Sequence, residues 1–248
     1  MNRKVVLVTG SSIGLGKSII EKYASNNYDV VIHYLNHENE AKELQKSLEE
    51  KYNINTLLVK ADIKNEDDIK KMKEEIKNTF GKLDVLINNA GIAIDTPFEM
   101  KTKENFMGIL ETNVVGTFLV TKELSTLMNE GNIVIVSSTN GIDTYYEEGL
   151  DYDASKAALI NLTHNLAHHY SPNIRVNCVC PGWMNTPMNK EISDEFKKQE
   201  EEKILLNRFA EPEEVANVIY FITSDEATYV NDSIIRVDGG KKWKQCHS

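Results

Sequence analysis

Seven short apolar runs, with longer amphipathic stretches between most of them, leave this chain few folds to adopt. Val5-Val6-Leu7-Val8 comes first; Val30-Val31-Ile32, Leu57-Leu58-Val59, Val85-Leu86-Ile87, Ile133–Val136, Ile174–Val179 and Ile234–Val237 follow. The first run shows no polar alternation, so it reads as a strand covered on both faces, and the others resemble it. Helical stretches are expected at about 14–26, 38–52, 65–80, 102–129, 153–170 and 212–223. Strands that alternate with helices form parallel pairs, and right-handed crossovers put helices on both faces of the sheet. The expected fold class is α/β, a single doubly wound domain over residues 1–248 with a seven-stranded parallel sheet.

A chain of 248 residues suits one large α/β unit. It has no Pro-rich linker, no repeat and no low-complexity tract. Residues 186–210 stand apart as a charged, helical insertion after the sixth strand, the place for a substrate lid. The net charge is −10, from 28 basic and 38 acidic residues, which argues against non-specific nucleic-acid or anionic-membrane partners. No apolar run approaches the roughly 20 residues of a membrane span. Three cysteines make no disulfide framework and suit a reducing, cytoplasmic location. Cys178 and Cys180 are expected to face opposite sides of their strand. His164 and His168 have i, i+4 spacing without the Glu-x2-His context of a metal site, so no metal is expected. The tail Lys241-Lys242-Trp243-Lys244 is too short for a nucleic-acid site and reads as packing at a subunit boundary.

The first strand runs straight into Thr9-Gly10-Ser11-Ser12-Ile13-Gly14-Leu15-Gly16, and a helix opens from that turn. Glycines there let the backbone turn tightly and approach a pyrophosphate, while the helix N-terminus offers unpaired N–H groups and the positive end of its dipole. Gly10, Ser12, Ile13, Gly14, Leu15 and Gly16 are therefore candidate cofactor contacts in a Rossmann-type domain.

The turn resembles the Thr-Gly-x3-Gly-x-Gly motif of the short-chain dehydrogenase/reductase family. Further motifs of that family follow in order: Asn88-Asn89-Ala90-Gly91, Asn113, Ser138, Tyr152-x3-Lys156, Pro181-Gly182 with Thr186 and Met188, and Asp238-Gly239-Gly240. The likeness spans residues 3–240. Arg208-Phe209-Ala210-Glu211-Pro212-Glu213-Glu214-Val215 is most similar to the 3-oxoacyl-[acyl-carrier-protein] reductases. The resemblance implies an oxidoreductase acting on CH–OH groups, with Asn113, Ser138, Tyr152 and Lys156 as catalytic residues. It implies cofactor contacts at Asp62, Ile63, Asn89, Ala90, Gly91, Asn113, Tyr152, Lys156, Pro181, Gly182, Met184, Thr186 and Met188. It implies a pocket from Tyr145, Tyr146, Trp183, Met184 and Met188. It also implies a homotetramer or homodimer built on the helices at 102–129 and 153–170, where Phe118, Leu119, Leu159 and Leu162 fit a seam or the sheet.

The residues make chemical sense of this. Carbonyl reduction needs a proton donor at the oxygen, and a phenol with pKa about 10 is a poor one at neutral pH. Tyr152 and Lys156 lie one helical turn apart, so the ammonium is expected to favour the phenolate and lower that value. Ser138, at the end of the fifth strand, can orient the carbonyl, while Ser137 points the other way. By resemblance, Asn113 holds a water that links Lys156 to solvent.

At the end of the second strand, where NAD-preferring proteins carry an Asp, the chain reads His33-Tyr34-Leu35-Asn36-His37. The missing acid favours NADP(H), with Tyr34, Asn36 and His37 as weak contacts to the 2′-phosphate, and the pattern also admits NAD(H). The expected substrate is a small-molecule carbonyl or secondary alcohol, foremost a 3-oxoacyl thioester. Alternatives are sugar, steroid or bile-acid alcohols, or cofactor binding without catalysis. Against a carrier-bound substrate, Met128–Asn132 and Tyr170–Asn173 lack basic residues, with Arg175 alone nearby.

Overall fold

A computed structural model describes residues 3–189 and 192–242, and at Met188 the backbone only. β1 (Val5–Val8), β2 (Asp29–Tyr34), β3 (Thr56–Lys60), β4 (Val85–Asn88), β5 (Gly131–Val136), β6 (Ile174–Pro181) and β7 (Ile234–Val237) form one sheet in the order β3-β2-β1-β4-β5-β6-β7. Every pairing is parallel. The chain winds outward from β1 to β3, then crosses back to β4 beside β1. The carboxyl ends of β1 and β4 therefore diverge and leave a crevice, the usual ligand position in such sheets.

The helices are α1 (Gly14–Ser25), α2 (Glu38–Tyr52), α3 (Glu66–Phe80), α4 (Lys103–Leu110), α5 (Thr117–Leu124), α6 (Leu150–Tyr170), α7 (Asp194–Lys203) and α8 (Pro212–Thr223). Alternate residues of β1 feed two cores, because strand side chains alternate between faces. Val6 and Val8 pack with Ile19 and Ile20 of α1, Leu44 of α2 and Ile219 of α8. Val5 and Leu7 pack with Ile69 of α3, Val120 of α5 and Leu159 of α6. Among the described residues, no helix is long and apolar enough to cross a membrane.

The structure departs from the sequence expectation in three places. The helix expected over 102–129 is interrupted: a π-helical turn, Glu111–Gly116, separates α4 from α5. Close packing pins that turn, since a methyl group on Gly116 would meet the Ile63 side chain at 2.9 Å. α6 begins at Leu150, ahead of the expected 153, so Tyr152 lies inside its first turn. Cys178 and Cys180 share a face, with sulfurs 3.7 Å apart. Residues two apart in a strand point the same way, and the expectation of opposite faces misapplied that period.

Candidate active site

The glycine turn is held from three sides. The Thr9 hydroxyl accepts the Asn89 and Ala90 N–H groups, both at 3.0 Å. Asn89 Nδ2 donates to the carbonyls of Thr9 (2.9 Å) and Gly10 (3.2 Å). Gly16 passes so near that a methyl group there would lie 2.2 Å from the Gly10 carbonyl oxygen and 2.7 Å from Asn89 Nδ2. The cap of α1 is Ile13, which brings no side-chain oxygen, and its first turn carries no acid. The N–H groups at this helix start thus meet no competing anion from the chain itself, which fits a pyrophosphate. Ser12 and Leu15 are buried beside them.

The third support is a residue the sequence reading passed over. His33 is buried in β2; its Nδ1 accepts the Gly10 N–H at 2.9 Å, and its backbone N–H donates to Ser11 Oγ at 2.9 Å. With Nδ1 an acceptor, Nε2 carries the proton and donates to the Ala61 carbonyl at 3.1 Å. Burial holds the imidazole neutral and pushes its pKa down to about 4. A titratable residue inside an otherwise apolar strand was the signal for it.

Further along β2, Tyr34 is buried in the core, while Asn36 and His37 are exposed. Packing thus removes Tyr34 from the expected phosphate cradle and leaves Asn36 and His37. His37 Nδ1 lies 3.4 Å from Glu40 Oε1. Asp62 accepts the Lys64 N–H at 3.0 Å, and Ile63 is buried against the π-helical turn.

The four expected catalytic residues converge where β4, β5 and α6 meet. Asn113, fully buried, accepts the Ile92 N–H (2.8 Å) and donates to the Ile92 carbonyl and Ser155 Oγ, both at 3.0 Å. That side chain is a clamp. A water held by Asn113 would sit on its backbone carbonyl, which has a lone pair beyond the one taken by Thr117 Oγ1 at 2.8 Å. Gly91 makes room here: a methyl group on it would meet Asn113 Oδ1 at 3.1 Å and Lys156 Nζ at 3.7 Å.

Lys156 is buried; its Nζ donates to the Val136 carbonyl at 3.0 Å and lies 5.3 Å from the Tyr152 ring centroid. Burial lowers the Lys156 pKa to about 8 and pushes the Tyr152 phenol up to about 12, with the Ser138 hydroxyl opposing the rise. This corrects the expectation of a phenol already lowered. In the chain alone desolvation outweighs the ammonium, which lies over the ring. Ser137 does point away, donating to the Lys156 carbonyl at 2.7 Å.

Around this centre lies an aromatic wall. Trp183 stacks on Phe209 with centroids 5.5 Å apart and meets Phe196 of α7 edge-on at 5.7 Å. Tyr146 meets Phe196 at 6.4 Å, whereas Tyr145 is exposed. Gly182 donates to the Val237 carbonyl at 3.0 Å, which holds the Pro181-Gly182 turn to β7. Met184 packs on the core, and its carbonyl accepts the Thr186 N–H at 3.0 Å. A methyl group on Gly14 would meet Pro187 at 3.6 Å and Thr186 at 3.9 Å, so this segment borders the start of α1. The Met188 side chain, and the tail from Trp243, fall outside the described residues. His164 pairs with Asp232 at 2.5 Å. Arg175 donates to the carbonyls of Ile222 (2.9 Å) and Val230 (2.6 Å), so the lone cation near the fifth and sixth strands is spent inside the fold.

Residues 10–242 match the profile of a family described as enoyl-(acyl carrier protein) reductase. A 3-oxoacyl-[acyl-carrier-protein] reductase of Aquifex aeolicus is 39% identical over 241 residues, covering 96% of each chain. Among solved structures, a dehydrogenase/reductase from Sinorhizobium meliloti superposes with a TM-score of 0.92 at 28% identity, covering 97% of this chain and 95% of its own. A short-chain dehydrogenase from Burkholderia cenocepacia, solved in complex with NADP, superposes at 0.91 with 28% identity, covering 96% and 97%.

Proposed function

The chain belongs to the short-chain dehydrogenase/reductase family, and from that premise we propose that it reduces 3-oxoacyl thioesters to 3-hydroxyacyl thioesters with NADPH. The observation that carries the reading is the meeting of Tyr152, Ser138 and Lys156 at the crevice, beside a glycine turn with no room for a side chain at Gly16. The relatives named as 3-oxoacyl reductases, and the neighbour solved with NADP, support the substrate and the cofactor.

The pyrophosphate would be held by the N–H groups at Gly14, Leu15 and Gly16, and the ribose on the nicotinamide side by Tyr152 and Lys156. Asp62, Ile63 and Asn89 to Gly91 would support the adenosine side. When bound, the nicotinamide supplies the hydride. Ser138 orients the carbonyl by a hydrogen bond to its oxygen. The Tyr152 hydroxyl delivers the proton to that oxygen, and its high pKa keeps it protonated at neutral pH. Lys156 stabilises the phenolate left behind. The segment carrying α7 acts as the substrate lid, supported by the packing of Phe196 on Trp183 and Tyr146. With Arg175 committed to backbone carbonyls, recognition centres on the acyl thioester itself. Exposed Met107, Val115 and Phe118 suit the helix seam of a homotetramer or homodimer, whereas Leu159 packs on the sheet.

Tyr152→Phe tests the mechanism. Loss of the proton donor should lower kcat by about 10²–10⁴-fold and leave the NADPH dissociation constant within twofold. Undiminished turnover in this variant would sink the mechanism.

A further inference from the structure

Ser138 is held by more than its own turn. Its hydroxyl donates to Asn140 Oδ1 at 3.1 Å and accepts the Asn140 N–H at 3.2 Å. Asn140 Nδ2 donates in turn to Asp153 Oδ1 at 2.6 Å, and Asp153 Oδ2 accepts the Tyr146 N–H at 3.0 Å. Asp153 follows Tyr152 directly in the first turn of α6. We propose that Asn140 and Asp153 are positioning residues for the reaction at Ser138: the carboxylate fixes the amide, and the amide fixes the hydroxyl.

The polarity of the chain of bonds follows from the groups alone. A carboxylate only accepts, so Asn140 must turn its NH2 toward Asp153. Its Oδ1 then faces Ser138 and also only accepts. The Ser138 proton therefore points at Asn140, one lone pair is taken by the Asn140 N–H, and the other is left toward Tyr152. In the resting chain Ser138 is an acceptor for the phenol. An entering carbonyl oxygen draws the hydroxyl proton from Asn140 by rotation about one bond, with no heavy atom displaced. The same carboxylate ties down the loop that carries Tyr146 into the pocket.

Asp153 also acts on its neighbour by charge, since it opposes ionisation of Tyr152. The other charged groups at this end of α6 are Lys156 from the same helix, Lys101 and Asp95 from the segment after β4, Asp151, and Glu148 from the loop before α6. Removing the Asp153 charge should therefore make the phenolate easier to form.

This inference rests on the role given to Ser138 above, and the experiment separates the two. Four variants are compared: Ser138→Ala, Asp153→Asn, Asn140→Asp, and the exchange Asn140→Asp with Asp153→Asn. Asp153→Asn should lose at least tenfold in kcat with the NADPH dissociation constant within twofold. In the oxidative direction, its pH limb should move to lower pH. The tyrosinate absorbance assigned to Tyr152, by difference from Tyr152→Phe, should move the same way without cofactor or turnover. Asn140→Asp sets two carboxylates against each other and should lose more. The exchange restores an amide–carboxylate pair and an acceptor facing Ser138, so kcat should return to within threefold of wild type. An Asp153→Asn variant with unchanged kcat, limb and tyrosinate onset, or an exchange no better than its worse single, would overturn the proposal. Turnover that survives in Ser138→Ala would instead remove the role of Ser138, and the inference with it.

Discussion

Acid should loosen the glycine turn through His33. The imidazole accepts the Gly10 N–H on Nδ1, and protonation puts a second N–H where that acceptor was. Its folded pKa, about 4, lies below the model value of 6.5, so the unfolded chain takes up the proton first. Stability is complete above about 6.5 and is lost as pH falls toward 4. A shift from 6.5 to about 4 is worth roughly 3 kcal/mol when fully expressed, and about 2.5 kcal/mol at pH 4.5. His33→Asn can still offer an acceptor to Gly10 but does not titrate. Urea unfolding of both proteins at pH 7 and pH 4.5 isolates the effect, because the quantity compared is the change with pH. Wild type should lose about 2–3 kcal/mol more than His33→Asn over that interval. Equal losses in the two proteins would refute the reasoning, and so would NADPH binding that weakens identically in both as pH falls.

Gly16→Ala puts a methyl group 2.2 Å from a backbone oxygen, an overpacking that should cost about 1–3 kcal/mol and lower Tm by roughly 2–12 °C. NADPH affinity should fall with it, whereas Gly108→Ala, which meets nothing within 4 Å, should leave affinity alone and raise Tm slightly. Lys101 and Asp151 form an ion pair at 2.8 Å with side chains 5% and 1% exposed. Lys101→Met strands a buried carboxylate beside Tyr152 and should cost about 3–5 kcal/mol, whereas Lys101→Met with Asp151→Leu should recover most of it in thermal unfolding.

The strand order and the glycine turn were legible because both follow from local rules: apolar runs of strand length, and glycines between a strand and a helix. Tyr152, Lys156 and Ser138 were legible from spacing alone. The π-helical turn was not, since Asn113 leaves the regular helix to meet the Ile92 backbone, a partner 21 residues away. The clamp from His33 to Gly10 was hidden for the same reason, spanning 23 residues. Arg175 looked like a surface cation because nothing in its neighbours' identity shows that the carbonyls of Ile222 and Val230 converge on it. The Tyr152 pKa was misjudged because helical spacing reports that an ammonium is near but not that both groups are desolvated. The link from Asn140 to Asp153 needed the fold of the loop between them.

The central claim is tested most directly by following NADPH and NADH oxidation in parallel with an acetoacetyl thioester. The account predicts rapid, NADPH-selective turnover, with a 3-hydroxyacyl thioester formed in equal amount to the cofactor oxidised. Tight NADPH binding with no thioester reduced, or faster turnover with NADH, would contradict it.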